Sequence, residues 1–189
     1  MDQFLDGNSQ SFNELYERLA PRVCGFLTSM CRDPRLAEDL TQTTFLKVHR
    51  ARATFVRGSR VEPWVYAIAR RTLLDEKRRQ VRRPEDLSAD GSIPEPVDLV
   101  QNDQPSSRLD PEQERALYDR LNRLPEPQRE AITLLKIQGL SMQEAAAVAG
   151  TTVGAMKLRA HRAYEALRDA LGHKKKSDIA QPSEESATP

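Results

Sequence analysis

Residues 63–83 read PWVYAIARRTLLDEKRRQVRR. Val65, Ile68, Ala69 and Leu73 recur at helical spacing. Pro63 suits the first position of a helix, where its missing N–H costs nothing. The helix opens on Trp64, the only Trp of the chain, with Tyr66 close behind, and closes on Lys77, Arg78, Arg79, Arg82 and Arg83. From Arg70 to Arg83 seven basic residues stand against Asp75 and Glu76. Aromatic rings stack on unpaired bases, and Lys and Arg neutralise phosphates, so an aromatic-headed, base-tailed helix suits a nucleic acid. Taken alone, the stretch fits equally well an amphipathic helix with a solvated basic end.

Charge along the chain sharpens this. The net charge of +1 hides a division: residues 1–83 carry sixteen Lys and Arg against ten acids, and residues 84–110 carry seven acids against Arg108 alone. The basic parts, not the total, should meet a polyanion. A length of 189 residues fits one domain or two small ones, and an apolar content of 38% is low for one large core. Nothing resembles a signal peptide and no apolar run is long enough to span a bilayer, so a cytoplasmic chain is expected. Cys24 and Cys31 lie two turns apart on one helical face, too far to pair within one helix, and read as reduced thiols in a core. His49, His161 and His173 are scattered, so neither a metal site nor a cofactor is expected. The chain carries no Walker loop, GxSxG or HExxH signature, and no catalytic residue is assigned.

Working back from residue 63, residues 1–10 read as a frayed start. Ser11 to Met30 reads as a helix with Phe12, Leu15, Leu19, Val23, Phe26 and Leu27 on one face, and Pro21 as a bend or early break. Asp33-Pro34 signals the start of the next helix, to about Arg52, with Asp33 as cap. On its wheel Leu36, Ala37, Leu40, Thr44, Val48 and Ala51 form the buried stripe. Asp39, Gln42, Thr43, His49 and Arg50 fall opposite, with Leu46 among them and Phe45 at the stripe's edge. An exposed Leu is ordinary; beside Phe45 it also has the makings of an anchor for a protein partner.

Working forward, residues 84–110 hold five Pro or Gly and four Ser with few large apolar residues, the composition of a flexible linker. Its acidity fits a solubilising spacer or a segment that resembles a polyanion. Pro111 to Leu124 reads as a helix with Leu117, Leu121 and Leu124 inward. Pro125 and Pro127 break the chain, and Gln128 to Gln138 resumes it until Gly139. Ser141 and Glu144 form a capping box for the next helix, Gly150 permits a tight turn, and Thr152 can cap a last helix to about Leu171. Two helices so coupled form a helix-turn-helix. On the last one Val153, Met156, Ala160, Ala163, Tyr164, Leu167 and Leu171 share the inner face. Gly154, Leu158, His161, Arg162 and Glu165 lie opposite, with Lys157 at the margin. A recognition helix puts such residues into a major groove.

At this point the chain resembles a bacterial RNA polymerase sigma factor of the sigma-70 family, of the extracytoplasmic-function (ECF) type. AEDLTQTTFLKVHRA (37–51) resembles the helix that docks on the polymerase clamp. WVYAIARRTLLDEKRR (64–79) resembles the segment that reads and opens the minus-ten promoter element. GLSMQEAAAVAGTTVGAMKLRAHRAYEAL (139–167) resembles the module for the minus-thirty-five element. The resemblance implies polymerase docking by Asp39, Gln42, Thr43, Phe45, Leu46 and His49. It implies an aromatic edge to DNA opening at Trp64, base capture by Arg70, Arg71 and Thr72, and phosphate contacts from Lys77, Arg78 and Arg79. It implies upstream reading by Thr152, Lys157, Leu158, His161 and Arg162, and a linker that enters the RNA exit path. Core RNA polymerase, promoter DNA and a cognate anti-sigma protein are the implied partners, with no small-molecule substrate. The resemblance also implies a site at the inner membrane when that protein holds the chain. Thr43, Arg71 and Leu158 depart from the Glu, Asn and Ser frequent at those positions, and SRVEP (59–63) departs from the usual approach to the Trp.

The expectation is therefore an all-α, non-enzymatic initiation factor. Residues 1–83 form the first module, 84–110 the linker, 111–172 the helix-turn-helix module and 173–189 a disordered tail. A stand-alone helix-turn-helix regulator explains residues 139–171 but not the face from Asp39 to His49. An RNA-modifying enzyme lacks any nucleophile, base or metal constellation.

Overall fold

The computed structural model describes residues 2–5, 9–82 and 119–170. The expected linker and tail, Leu117, Leu171 and most of the helix from Pro111 lie outside the described residues. Every regular element among those described is helical. The first module contains α1 (Asp2–Leu5), α2 (Ser9–Cys31), α3 (Pro34–Arg50), a 3-10 turn (Arg52–Thr54) and α4 (Val61–Arg82). The second contains the end of α5 (119–123), α6 (Glu126–Ile132), a π-helical turn (Thr133–Ile137), α7 (Met142–Val148) and α8 (Val153–Ala170).

The apolar spacing of α2 becomes the centre of the first core: Leu19, Val23, Phe26 and Leu27 are all buried against α3 and α4. Full burial of each such side chain contributes about 1.5–3 kcal/mol. That sum explains why α2 continues through Pro21, where a bend or an early break was expected. A mid-helix proline costs about 3 kcal/mol, and the turns on either side recover more than that. The helix stops at Arg32, which takes a left-handed φ of 62° while its amide donates to Thr28 O. Asp33 then caps α3 as expected, its carboxylate accepting from Leu36 N at 3.1 Å with Pro34 at the first position.

Residues 1–10 are not all frayed. Phe4 of α1 is buried, stacked on Phe12 at 5.1 Å, with the His49 ring at 5.8 Å. Helix α4 also starts two residues earlier than expected, at Val61. Pro63 remains in the first turn, where no amide has an intrahelical acceptor to serve.

In the second module Gln138 N bonds Thr133 O, five residues back, which widens the end of the α6 segment into a π turn. Gly139, at φ 68°, then closes the helix with Leu140 N on Leu134 O. The capping box of α7 is complete: Glu144 N donates to Ser141 Oγ and Ser141 N to Glu144 Oε2. Gly150, at φ 58°, makes the turn into α8, and Thr152 Oγ1 accepts from Ala155 N to cap it.

One buried cluster runs through both modules, from Leu19 and Phe26 to Leu134, Ala145 and Met156. A smaller one of Leu121, Leu124, Ile132, Ala163 and Leu167 closes the second module. Glu144 joins the two, because Arg60 Nη1 donates to both its oxygens at 3.0 and 3.2 Å. Burial pushes this carboxyl up, but the Ser141 and Arg60 hydrogen bonds outweigh it and hold its pKa below the ordinary 4.5. A lowered folded pKa stabilises above the unfolded value and is lost as pH falls through the folded one. Glu144→Gln should therefore cost about 1 kcal/mol at pH 7, the worth of a cap, and that difference should shrink in melts at progressively lower pH as the carboxylate is protonated in the folded state.

Candidate functional site

Three helical faces carry the residues singled out in the sequence. The first is on α3. Its inner side buries Ala37, Leu40, Thr41, Thr44, Phe45 and Val48. Thr41 and Thr44 satisfy their hydroxyls on Ala37 O and Leu40 O, so polar side chains sit in this interface at little cost. Asp39, Gln42, Thr43 and His49 are exposed, and Leu46 keeps 58% of its surface in water. Phe45, expected on that surface, is 2% exposed. It lies beneath the face, edge-on to Tyr16 at 4.8 Å and to Phe12 at 6.5 Å. Its role is to hold the face from below. Tyr16, half exposed beside it, was not singled out in the sequence, although it lies on the same apolar stretch of α2.

The second face is on α4. Trp64 is half-buried and meets Phe55 edge-on at 5.2 Å. Tyr66 is not available to stack on a base. It is fully buried against Phe26, its hydroxyl donates to Gln138 Oε1, and burial pushes its phenol well above the usual range. Thr72, expected to capture a base, is also buried, and its hydroxyl donates to Ile68 O. Arg71 is exposed. Arg70 Nε donates to Glu130 Oε1 at 2.6 Å, and Lys77 Nζ to Glu126 Oε1 at 2.7 Å. Arg78 and Arg79 pair with Asp75 and Glu76 on their own helix and stay largely in water. Val56, 70% exposed in the loop before α4, was passed over because a lone Val in a loop has no periodicity to mark it.

The third face is on α8. Met156, Ala160, Ala163 and Leu167 are buried as expected. Tyr164, expected inward, is 42% exposed at the stripe's edge, with the Lys136 ammonium 5.7 Å from its ring centre. Lys157, Leu158, His161 and Arg162 all face solvent, and His161 Nε2 lies 3.5 Å from Glu165 Oε1. Thr152 begins this face, its hydroxyl oxygen already serving as the cap. Among the described residues no group of His, Cys, Asp or Glu has the arrangement to hold a metal ion, and no helix is long and apolar enough to cross a membrane.

A helix-turn-helix module and a basic helix in one chain define a DNA-binding protein of two modules. Comparison with known proteins makes this specific. Residues 15–83 match sigma-70 region 2, and residues 114–167 match sigma-70 region 4. RNA polymerase sigma factor CarQ of Myxococcus xanthus is 41% identical over 172 residues, covering 91% of this chain and 95% of that one. ECF RNA polymerase sigma factor SigF of Caulobacter vibrioides is 34% identical over 169 residues, covering 88% and 89%. The structure of the sigma factor RpoE in complex with the anti-sigma factor NepR, from Bartonella quintana, superposes with a TM-score of 0.68 at 29% identity, covering 86% of this chain and 98% of that one. The chain belongs to the sigma-70 family, as an ECF RNA polymerase sigma factor. It is an alternative sigma factor, a transcription initiation factor that regulates which promoters are used.

Proposed function

We propose that the three faces divide the work of initiation. The exposed face of α3, with Asp39, Gln42, Thr43, Leu46 and His49, docks on core RNA polymerase. Helix α4 works at the minus-ten element, with Trp64 at the upstream edge of melting, Arg70 and Arg71 at the unstacked base, and Lys77, Arg78 and Arg79 on phosphates. Helix α8 reads the minus-thirty-five element through Lys157, Leu158, His161 and Arg162, its first turn set by Thr152. In this reading residues 1–83 are the docking and melting module, 84–110 a linker, 111–172 the upstream reader and 173–189 a tail. The protein is not an enzyme and works in the cytoplasm. Linked modules gain effective concentration, so each contact with the promoter can be weak. A cognate anti-sigma protein would cover the docking face when polymerase is absent, by analogy with the complex named above.

The observation that supports this reading is Leu46, an exposed apolar side chain amid the polar face of α3, a face that DNA reading by α8 alone does not account for. Run-off transcription on genomic fragments with purified core polymerase tests it. Specific transcripts that need this chain are expected. Promoter binding that is the same with and without polymerase would favour the stand-alone regulator.

The burial pattern on α4 separates two neighbours. Arg71→Ala should reduce permanganate reactivity of minus-ten thymines more than it reduces initial promoter binding. Thr72→Val, which removes only a hydroxyl bonded to Ile68 O, should leave that reactivity near wild type. The reverse order would return base capture to Thr72.

A further inference from the structure

A cleft of about 540 Å³ lies where the end of α2, the second half of α4 and the turn from α5 into α6 meet. Its charged lining is Arg32, Glu76, Lys77, Arg123, Glu126 and Arg129. Both acids are already answered, Glu126 by Lys77 at 2.7 Å and Glu76 by Arg79 at 3.0 Å. The guanidiniums of Arg32, Arg123 and Arg129 are not, for none of them meets a carboxylate among the described residues. Arg129 is the deepest. It is 3% exposed, and its Nη1 donates to the carbonyls of Asn122 at 3.2 Å and Leu124 at 3.1 Å, yet its Nε has no hydrogen-bond partner. A buried donor without an acceptor is costly, and more so on a charged group. Burial lowers the Arg129 pKa, the Arg32 guanidinium lowers it further, and Glu126 does not offset the two. Arg32 reaches the cleft from a left-handed backbone at φ 62°, unusual for a residue other than glycine. Its Nη2 donates to Asn122 O, the same carbonyl that Arg129 uses, so two cations converge on one neutral acceptor. The remaining wall includes the apolar side chains of Met30, Leu36, Leu73 and Pro125.

We propose that this cleft binds a small phosphorylated ligand of the nucleoside diphosphate class. Arg32, Arg123 and Arg129 hold its diphosphate, and its organic body lies on Met30, Leu36, Leu73 and Pro125. A guanidinium fork matches two phosphate oxygens at once. Three unanswered positive charges suit a diphosphate better than a single carboxylate, and the volume is that of a small-molecule site. These three arginines belong to none of the faces assigned to polymerase or promoter. A ligand held only by the folded chain raises its melting temperature.

Calorimetric titration and thermal melts of the full chain test this with inorganic diphosphate, adenosine diphosphate and adenosine. Inorganic diphosphate is expected to bind and to raise the melting temperature. Adenosine diphosphate should bind about tenfold more tightly, because its nucleoside covers apolar wall, and adenosine alone should give no measurable heat. Arg32→Gly removes one guanidinium at a φ that suits glycine. Arg123→Gln removes another from an exposed side chain. Each should weaken diphosphate binding about tenfold, the loss of one charge-assisted contact, with the ligand-free melting temperature near that of the wild type. Arg35→Gln, exposed on α3 and outside the cleft lining, should bind as the wild type does. No heat and no shift with either diphosphate overturns the site. Equal weakening by Arg35→Gln overturns it too, since general charge would then explain the binding. Adenosine diphosphate binding no tighter than inorganic diphosphate overturns the ligand class. If Arg32→Gly and Arg123→Gln keep wild-type diphosphate affinity but bind duplex DNA of every sequence less well, with the salt slope lowered by about one each, these arginines hold a DNA backbone and the proposal fails.

Discussion

Leu46→Glu is expected to abolish binding to core RNA polymerase while leaving helix content and melting temperature unchanged. In the free chain this position is in water, 58% exposed on the outer side of α3, and no core contact depends on it. Glu and Leu have similar helix propensities, and an acid near the last turn costs only a few tenths of a kcal/mol. Docking by this face, as proposed, covers the position in the complex, where an unpaired carboxylate would lose its water. The expected weakening is at least about 100-fold, or roughly 2.7 kcal/mol. Leu46→Ala, which removes contact without adding charge, should weaken binding about tenfold, the range of an ordinary hot spot. Phe45→Ala should behave differently. Phe45 is buried between Tyr16 and Phe12, so its truncation should cost about 3–5 kcal/mol of stability and disturb docking only through the fold. Co-purification with core polymerase and circular dichroism melts of the three variants measure both sides. Equal recovery of polymerase by Leu46→Glu and wild type would sink the docking assignment.

That Leu46 stands out at all is a consequence of periodicity, and periodicity marks what the sequence made legible. On α3 the stripe from Ala37 to Val48 was readable because helical spacing alone divides wet from dry. The capping box at Ser141, the left-handed Gly150 and the small residues between them were readable because each follows from local chemistry. The errors have the same origin. Tyr66 was read as a DNA-side aromatic by residue type and Thr72 was placed at the base by the resemblance, yet Tyr66–Ala69–Leu73 and Val65–Ala69–Thr72 are themselves helical spacings, and all five side chains are buried. Phe45 likewise continues the stripe from Thr41 to Val48. There the pattern marked burial, and residue type at Tyr66 and the resemblance at Thr72 and Phe45 drew the reading outward.

Other features had no local signal. Helix α1 is a single turn, and Phe4 is buried only because Phe12 and His49 happen to receive it. The π turn at Thr133–Ile137 comes from one displaced hydrogen bond that no composition announces. The placement of the second module on α4 depends on pairs such as Arg70–Glu130 and Arg22–Gln138, separated by 60 and 116 residues. Charges on two amphipathic helices always offer many such pairings. The packing of the second module on α2 and α4 decides which of them form.

On α8 the division into wet and dry faces was legible, and it leads to the second large effect. Leu158, 49% exposed, and Arg162 lie one turn apart on the free face, past the Thr152 cap and the positive end of the helix. A leucine neither donates nor accepts a hydrogen bond, so its contact with a base is apolar, and the methyl of thymine is the one apolar group in the major groove. Arg162 has the fork to bond guanine O6 and N7 together. Each good base contact contributes about 1–3 kcal/mol of discrimination, five- to 150-fold. A phosphate contact weakens all sequences alike and lowers the salt slope by about one. Leu158→Ser is therefore expected to relax or shift preference at one base pair of the minus-thirty-five element, with little change in salt dependence. Arg162→Ala is expected to lose up to about 100-fold of discrimination at a neighbouring guanine. Neither should alter the melting temperature, because neither side chain enters the core under Met156 and Ala160. Binding of each variant to every single-base change of the element, at two salt concentrations, separates the outcomes. A loss uniform over all sequences, with a shallower salt slope, would mean that this face holds the backbone and that the choice of promoter is made elsewhere.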